Sequence, residues 1–310
     1  MILVAGSANL DFVVRAPHIP GPGETVLGRD FKTFAGGKGA NQAVACARAG
    51  AAPTQMLLAL GADAFAAPLE ASLCDAGVVP QIIRAIDQPT GTAFICVSDD
   101  AENAITVAPG ANQCLQPEHL PLLAGVSHLL MQLETPLATV TAYAQAAKAQ
   151  RVSVVLNAAP AQNLPKELLA ALDVLIVNEG ELARVTGHDG TILACLERLN
   201  VPTVVVTLGH HGCVARHHKA LYWQPAYAVT PVDTTGAGDT FCGALVAALS
   251  QGADMAQALR LASAASALAC TRLGAQSSIP QAQDVAEFLA CQGEPSPSAL
   301  AALRQFCGQP

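Results

Sequence analysis

Short apolar runs rich in β-branched residues alternate along the chain with alanine-rich stretches. Segments 2–5, 55–60, 128–132, 152–157, 174–177 and 204–208 read as buried strands, because each is a continuous apolar run too short for a helix. Segments 41–49, 68–76, 137–149 and 166–171 carry helical spacing between them. Longer helical patterns follow at 239–250, 254–273 with room for a break, and 282–290. This alternation predicts an α/β fold built on a mostly parallel sheet with helices on both faces.

Two stretches depart from that rhythm. Segments 12–34, rich in Pro and Gly, and 90–107, with alternating Thr92-Ala93-Phe94-Ile95-Cys96-Val97, read as extended chain without intervening helices. They are expected to pair into a small separate β-sheet, either a lid over the strand ends where α/β proteins bind ligands or plain edge hairpins. The expected organisation is one α/β domain over 1–290 with these segments inserted, then a 291–310 linker and short helical tail at 299–306.

Composition narrows the class. With 310 residues the chain can bury a substantial core. It is 52% hydrophobic with mean hydropathy +0.38, yet charges, prolines or polar clusters interrupt each apolar run before the ~20 residues a membrane span needs. The start, Met1-Ile2-Leu3-Val4-Ala5-Gly6, has no basic leader region and reads as a first strand, so no membrane association and a cytoplasmic location are expected. Net charge is −8, which disfavours a nucleic-acid surface. Ten cysteines without a Cys-X-X-Cys pair read as buried small hydrophobes. Eight histidines include no His-X-X-X-His spacing, and the pairs His210-His211 and His217-His218 would point to opposite sides of a strand.

Chemistry concentrates at Thr234-Thr235-Gly236-Ala237-Gly238-Asp239-Thr240-Phe241. Gly236 and Gly238 allow successive amide N–H groups to converge on an oxyanion, and a helix starting there adds its positive end. Asp239 would repel a bound phosphate unless it faces a second, proton-bearing substrate, which reads as a general base; a helix cap is the alternative. A second glycine loop, Gly36-Gly37-Lys38-Gly39-Ala40-Asn41, lacks the Walker spacing and suits a polyol, or a tight turn alone. Asn9 and Asp11 sit at alternating positions that match vicinal hydroxyls, and Glu134 ends a strand; a solvated loop residue is the alternative for each. Asn178-Glu179-Gly180-Glu181 follows another strand, either as a helix cap or as oxygen donors acting on Mg²⁺ through water. Thr207-Leu208-Gly209 and Gly212 close the next strand with the open backbone a nucleotide needs.

Taken together, the two glycine loops make the chain resemble the ribokinase (PfkB) family of carbohydrate kinases over about residues 2–290. Four further segments fit the pattern of its ribose-phosphorylating members: Ala5-Gly6-Ser7-Ala8-Asn9-Leu10-Asp11, Pro22-Gly23-Glu24-Thr25, Pro109-Gly110-Ala111-Asn112 and Met131-Gln132-Leu133-Glu134. The resemblance implies ATP-dependent phosphorylation of D-ribose at its 5-hydroxyl. Asp239 would be the base, with Gly236, Ala237 and Gly238 as anion hole. Asn9, Asp11, Gly37, Lys38, Asn41 and Glu134 would hold the sugar together with Asp239. Asn178, Thr207, Leu208, Gly209, His210, His211, Gly212, Gly238 and Ser263 would hold the nucleotide, and Glu181 would organise Mg²⁺. A monovalent cation, K⁺, would lie near the anion hole, held by Asp233, Thr235, Ala269, Arg272, Gly274 and Ser278 mostly through backbone oxygens. Lids of such kinases often pair between subunits, which implies a homodimer.

Ser263 stands where these kinases commonly carry His or Asn, and His210-His211 replaces a usual Ser-Lys or Ser-Arg pair, which leaves nucleotide preference open. Competing readings are another acceptor, such as deoxyribose, fructose, a sugar phosphate or a nucleoside, and a silent sugar-binding sensor. A sugar phosphate would want basic lid residues, but Asp99, Asp100 and Glu102 lie there. A nucleoside would want an aromatic platform, which Phe12, Phe31, Phe34 and Phe94 could supply.

Overall fold

A computed structural model describes residues 1–100 and 102–309; Ala101 of the second expected lid segment and Pro310 of the expected tail lie outside it. The chain opens with β1 (Ile2–Ala5), β2 (Asn9–Ala16), β3 (Arg29–Gly36), α1 (Lys38–Arg48), β4 (Thr54–Gly61), α2 (Ala66–Asp75) and β5 (Val79–Ala85). It continues through β6 (Gly91–Ser98), β7 (Asn103–Ala108), β8 (His128–Met131), α3 (Leu137–Ala149), β9 (Ser153–Asn157), α4 (Lys166–Ala171) and β10 (Val174–Asn178). The last third holds α5 (Glu179–Thr186), α6 (Ile192–Glu197), β11 (Thr203–Thr207), β12 (Gly212–His217), β13 (Ala220–Pro225), α7 (Ala237–Ser250), α8 (Met255–Ala269), α9 (Ala282–Ala290) and α10 (Pro297–Phe306).

Nine strands form the main sheet in the order β13-β12-β11-β10-β9-β8-β1-β4-β5. Pairing is parallel from β11 through β5, while β12 and β13 add an antiparallel hairpin at one edge. Alternation along each strand sends neighbours to opposite faces. Ile2 and Val4 of β1 pack with α1, α2, α7 and α8, whereas Leu3 and Ala5 pack with α3 to α6 and α10. Because both faces are covered, the strands carry no polar alternation, which is why they read as apolar runs.

Helices α1 and α7 approach closely because the contact lacks bulk. A Cβ on Gly243 would fall 2.5 Å from both Ala45 Cβ and Gln42 O, and one on Gly50 would fall 2.1 Å from Ala247 Cβ. Asp239, Gly243 and Ala247 are spaced four apart on α7, so one face of that helix turns its carboxylate and its small residues toward α1.

The second sheet runs β3-β2-β6-β7. Asp11, Val13, Lys32, Phe34, Ile95 and Ile105 turn toward a cavity of about 620 Å³ that reaches Asp233, Thr235 and Gly274. The intervening side chains face away: Phe12 stacks on Phe94 with centroids 5.4 Å apart and on Phe31 at 6.1 Å, and meets Phe65 edge-on at 5.4 Å. Phe31, Phe94, Ile105 and Val107 are exposed. Helix ends shift from the sequence expectation: α1 starts at Lys38, α2 at Ala66, α7 at Ala237 and α10 at Pro297, and α8 ends at Ala269, where the Cys270 carbonyl accepts the Val232 N–H at 2.7 Å. The histidine pairs are not strand neighbours; His210 and His211 lie in a 3₁₀ turn, and His218 follows β12 with φ 52°.

Candidate active site

The parallel strands present their carboxyl ends to one edge of the sheet, where α/β proteins place ligands. Gly236, at φ 73° and ψ 1°, caps the start of α7 without a side chain to satisfy the helix N–H groups. Its missing Cβ would press on Ala275 Cα at 3.1 Å, so glycine meets both the left-handed angle and the close approach. Thr240 N–H returns to Gly236 O at 2.8 Å and Ala237 N–H to Thr234 O at 3.2 Å, while the Gly236 and Gly238 N–H groups have no backbone acceptor among the described residues at the positive end of the helix.

Asp239 is buried on the first turn of α7. Asn41 Nδ2 donates to its Oδ2 at 2.9 Å and Gln42 Nε2 to its Oδ1 at 2.9 Å. Asn41 Oδ1 is itself buried and has no partner among the described residues, an acceptor that a sugar hydroxyl would satisfy.

On one side of Asp239 lies the lid-covered cleft. Asp11 crosses the place where a Gly36 Cβ would be, 2.1 Å from its Oδ2. Burial, together with Glu134 and Asp239 nearby, pushes its carboxyl up to about 7. Glu134 Oε2 accepts Ser7 Oγ at 2.5 Å and the Lys38 N–H at 3.1 Å. Asn9 Oδ1 accepts Asn112 Nδ2 at 2.8 Å, and Asn112 Oδ1 accepts the Ala8 N–H at 3.0 Å. Gly37, at φ 89°, would place a Cβ 2.7 Å from the Asn9 nitrogen, so the loop must pass β2 as glycine.

On the other side is a recess of about 150 Å³ lined by Lys38, Asn157, Asn178, Glu181, Gly238 and Asp239, among others. Lys38, expected among the sugar contacts, lines this recess while its backbone N–H reaches Glu134 of the cleft. Asp239 raises its pKa, against burial, with Glu134 and Glu181 adding to the effect. Asn178 and Glu181 cap α5 reciprocally: the Glu181 N–H donates to Asn178 Oδ1 and the Asn178 N–H to Glu181 Oε2, both at 2.8 Å. Burial raises the Glu181 pKa, opposed by that N–H and by Lys38.

Thr207 and Gly238 also border a larger cavity of about 540 Å³, lined by Gly209, His210, Gly212, Tyr227 and Ser263. Leu208 is buried and does not line it. His211 turns instead to Phe306 of α10, stacking with centroids 3.8 Å apart. Asp233 accepts the N–H groups of Thr235 and Gly274, both at 2.9 Å; although burial opposes it, these bonds hold its carboxyl below the usual range. Arg272 reaches Asp284 and Ser278 Oγ donates to Ala275 O, so backbone oxygens are what these two offer inward; Ala269 is fully buried.

Four residues here went unassigned in the sequence: Gln42, Asn112, Gln132 and Asn157. Asn112 and Gln132 fell in family-pattern segments, Gln42 in the expected helix 41–49 and Asn157 at the end of the expected strand 152–157, and none of these signals concerned a role at Asp239.

The pattern for pfkB family carbohydrate kinases matches residues 1–282. The chain belongs to the pfkB family of carbohydrate kinases. It is 40% identical over 301 residues to the ribokinase of Haemophilus influenzae, covering 93% of this chain and 98% of that one. Among solved structures it is similar to the ribokinase of Thermotoga maritima, with TM-score 0.85, 37% identity and coverage of 93% and 99%. It is equally similar in fold to Arabidopsis thaliana ribokinase complexed with ribose and ATP, with TM-score 0.85, 33% identity and coverage of 94% and 99%. The chain is therefore a kinase of the ribokinase fold, with a carboxylate-lined cleft and a second cavity that share Pro231 and Thr234, in the segment leading to Asp239.

Proposed function

We propose that the chain transfers the terminal phosphoryl group of ATP to the 5-hydroxyl of D-ribose. The observation that carries this reading is the position of Asp239, which stands between a polyol-suited cleft and a helix N-terminus with open amides.

Ribose hydroxyls donate to the carboxylates of Asp11 and Glu134 and to Asn41 Oδ1, with Asn9 fixed by Asn112 at the cleft floor and Gly37 shaping its wall. Asp239 takes the proton of the 5-hydroxyl as its oxygen forms the bond to the γ-phosphorus, and the bond to the bridging oxygen breaks to release ADP. The amides of Gly236 and Gly238 face the charge that develops on the moving group, the Ala237 N–H joins them once it leaves Thr234 O, and Lys38 supplies a cation from the recess. The nucleotide occupies the larger cavity beside Thr207, Gly209, His210, Gly212 and Ser263.

Among the described residues no cluster of three or more His, Cys, Asp or Glu forms a metal cage. A single buried carboxylate at Glu181, beside Asn178, nevertheless fits Mg²⁺, which keeps its waters and binds chiefly through phosphate. When bound, Mg²⁺ neutralises charge on the phosphates. The ionised Asp233 and the backbone oxygens of Thr235, Ala269, Arg272, Gly274 and Ser278 would supply the oxygen-only donors that suit K⁺ behind the anion loop.

The lid, the 1–290 domain and the 291–310 tail are assigned as in the sequence. We assign the exposed apolar side chains of the lid, Phe31 and Phe94 on one face and Ile105 and Val107 on the other, to a homodimer contact, and a cytoplasmic location without nucleic-acid or membrane partners. No helix among the described residues is long and apolar enough to cross a membrane.

Ribose is favoured over a nucleoside by the orientation of the lid aromatics. Phe12, Phe31 and Phe94 stack with each other on the face opposite Asp11, which leaves Phe34 as the aromatic residue of the cleft. The test is ATP-dependent ADP release with Mg²⁺ and K⁺, comparing D-ribose with 2-deoxyribose, fructose, adenosine and fructose 6-phosphate. Highest kcat/KM for ribose supports the reading. Preference for another acceptor reassigns the cleft, and binding of ribose without turnover makes the chain a sensor.

A further inference from the structure

The carboxylate of an aspartate turns easily about its last torsion, which is broad rather than staggered. A base that must meet one hydroxyl proton at one angle therefore needs something to stop that rotation. In this chain both oxygens of Asp239 are already held, Oδ2 by Asn41 and Oδ1 by Gln42. Asn41 keeps its own carbonyl oxygen free of protein partners among the described residues, which makes it the member of the pair able to take a substrate hydroxyl. Gln42 does not face the cleft: it is fully buried beneath the base.

Gln42 is fixed at both ends of its amide. Its Oε1 accepts Gln132 Nε2 at 2.6 Å, just beyond the carboxyl end of β8. Its Nε2 donates both to Asp239 Oδ1 and to Asn157 Oδ1, at 2.9 and 3.0 Å, and Asn157 closes β9. Asn157 in turn donates to Ile176 O of β10 at 3.2 Å. Gln132 and Asn157 are buried as well. The amide orientation of Gln42 is thus dictated from the sheet, and with its oxygen committed to Gln132 it can offer Asp239 only an N–H. Gly243 completes the arrangement, since its bare Cα lets α1 come near enough for so short a bond.

We propose that Gln42 is a positioning residue for phosphoryl transfer, locking the carboxylate plane of Asp239 to the carboxyl ends of the central strands through Gln132 and Asn157. An amide suits this task because it neither takes nor gives up a proton near neutral pH. It holds the base without competing for the hydroxyl proton. The inference rests on Asp239 being the base.

The test compares Gln42→Met, Gln132→Met and Asp239→Asn with the parent in steady-state kinetics, with ribose stoichiometry and affinity from titration calorimetry. Methionine keeps the length and bulk of the glutamine while removing both polar ends. Gln42→Met is expected to lower kcat about 10- to 100-fold, the scale of a small misplacement of a reacting group, with KM for ribose and ATP within about threefold. One ribose per chain must still bind, which separates misaligned base from misfolded enzyme. Gln132→Met leaves both donors to Asp239 in place but frees the far end of Gln42, so a smaller loss, about 3- to 10-fold in kcat, is expected. A Gln42→Met kcat within threefold of the parent, or a loss carried by ribose KM, overturns the proposal. Should that variant fail to fold, Gln132→Met decides, and parental kcat with one ribose bound overturns it. Parental turnover by Asp239→Asn would instead remove the base assignment itself.

Discussion

Ribose affinity is expected to weaken as pH falls from 8 to 6, and the cause is Asp11. Its carboxyl is pushed up to about 7 by burial and by Glu134 and Asp239 nearby. Sugar hydroxyls donate best to the charged carboxylate, and a hydrogen bond to a charged group is worth about 1 to 1.5 kcal/mol more than one to a neutral group. Protonation should then weaken ribose about tenfold. Asp11 is about nine-tenths ionised at pH 8 and one-tenth at pH 6, so ribose KM should rise about fivefold across that range. The assay is initial rate against ribose at saturating ATP and Mg²⁺, in buffers of equal ionic strength. Asp11→Asn should raise ribose KM at pH 8 and remove the slope. A parental KM that is flat between pH 6 and 8 would refute the argument. The same shift affects stability. Because the folded value lies above the ordinary 3.8, the unfolded chain releases this proton first, and stability is lost as pH rises from about 4 to about 7. The melting temperature of Asp11→Asn relative to the parent should therefore climb between pH 5 and pH 8.

Two further perturbations probe the packing around the site. Gly243→Ala places a methyl 2.5 Å from Ala45 Cβ, which forces α1 away from α7; overpacking of this kind costs about 1–3 kcal/mol, to be read by calorimetry, and kcat should fall as Gln42 retreats. A variant as stable and active as the parent would contradict the close-packing argument. Phe306→Ala removes the ring stacked on His211, whose centroid also lies 4.0 Å from that of the tilted His210 ring. An aromatic pair contributes about 0.5–1.5 kcal/mol, so ATP KM should rise up to about tenfold while ribose KM stays constant, and an equal rise in both would place Phe306 in general stability instead.

The central sheet was legible because β1, β4, β8, β9, β10 and β11 are buried on both faces and appear as plain apolar runs. Strand β5 was not, since Pro80, Gln81 and Arg84 interrupt it at the sheet edge. The β12–β13 hairpin escaped for a similar reason: Cys213, Val214 and Ala215 form an apolar run of only three before Arg216 and the polar turn at His217, His218 and Lys219. Helix α1 begins three residues before the expected start; glycine propensity argues against a helix at Lys38 and Gly39, but Glu134 holds the Lys38 N–H and Ser7 O the Ala40 N–H. At the site, charged residues and glycines drew attention because their chemistry is distinctive. The amides of Gln42, Gln132 and Asn157 did not. Their partners lie 90 to 197 positions away, and nothing local marks a glutamine as part of such a network.

The most direct test of the account is turnover of D-ribose by Asp239→Asn beside calorimetric binding of ribose to the same protein. Asparagine keeps the shape but cannot take the hydroxyl proton. The account predicts a kcat loss of about 10²- to 10⁴-fold, the range for a general base, with ribose affinity within about threefold of the parent. Turnover within tenfold of the parent would contradict it.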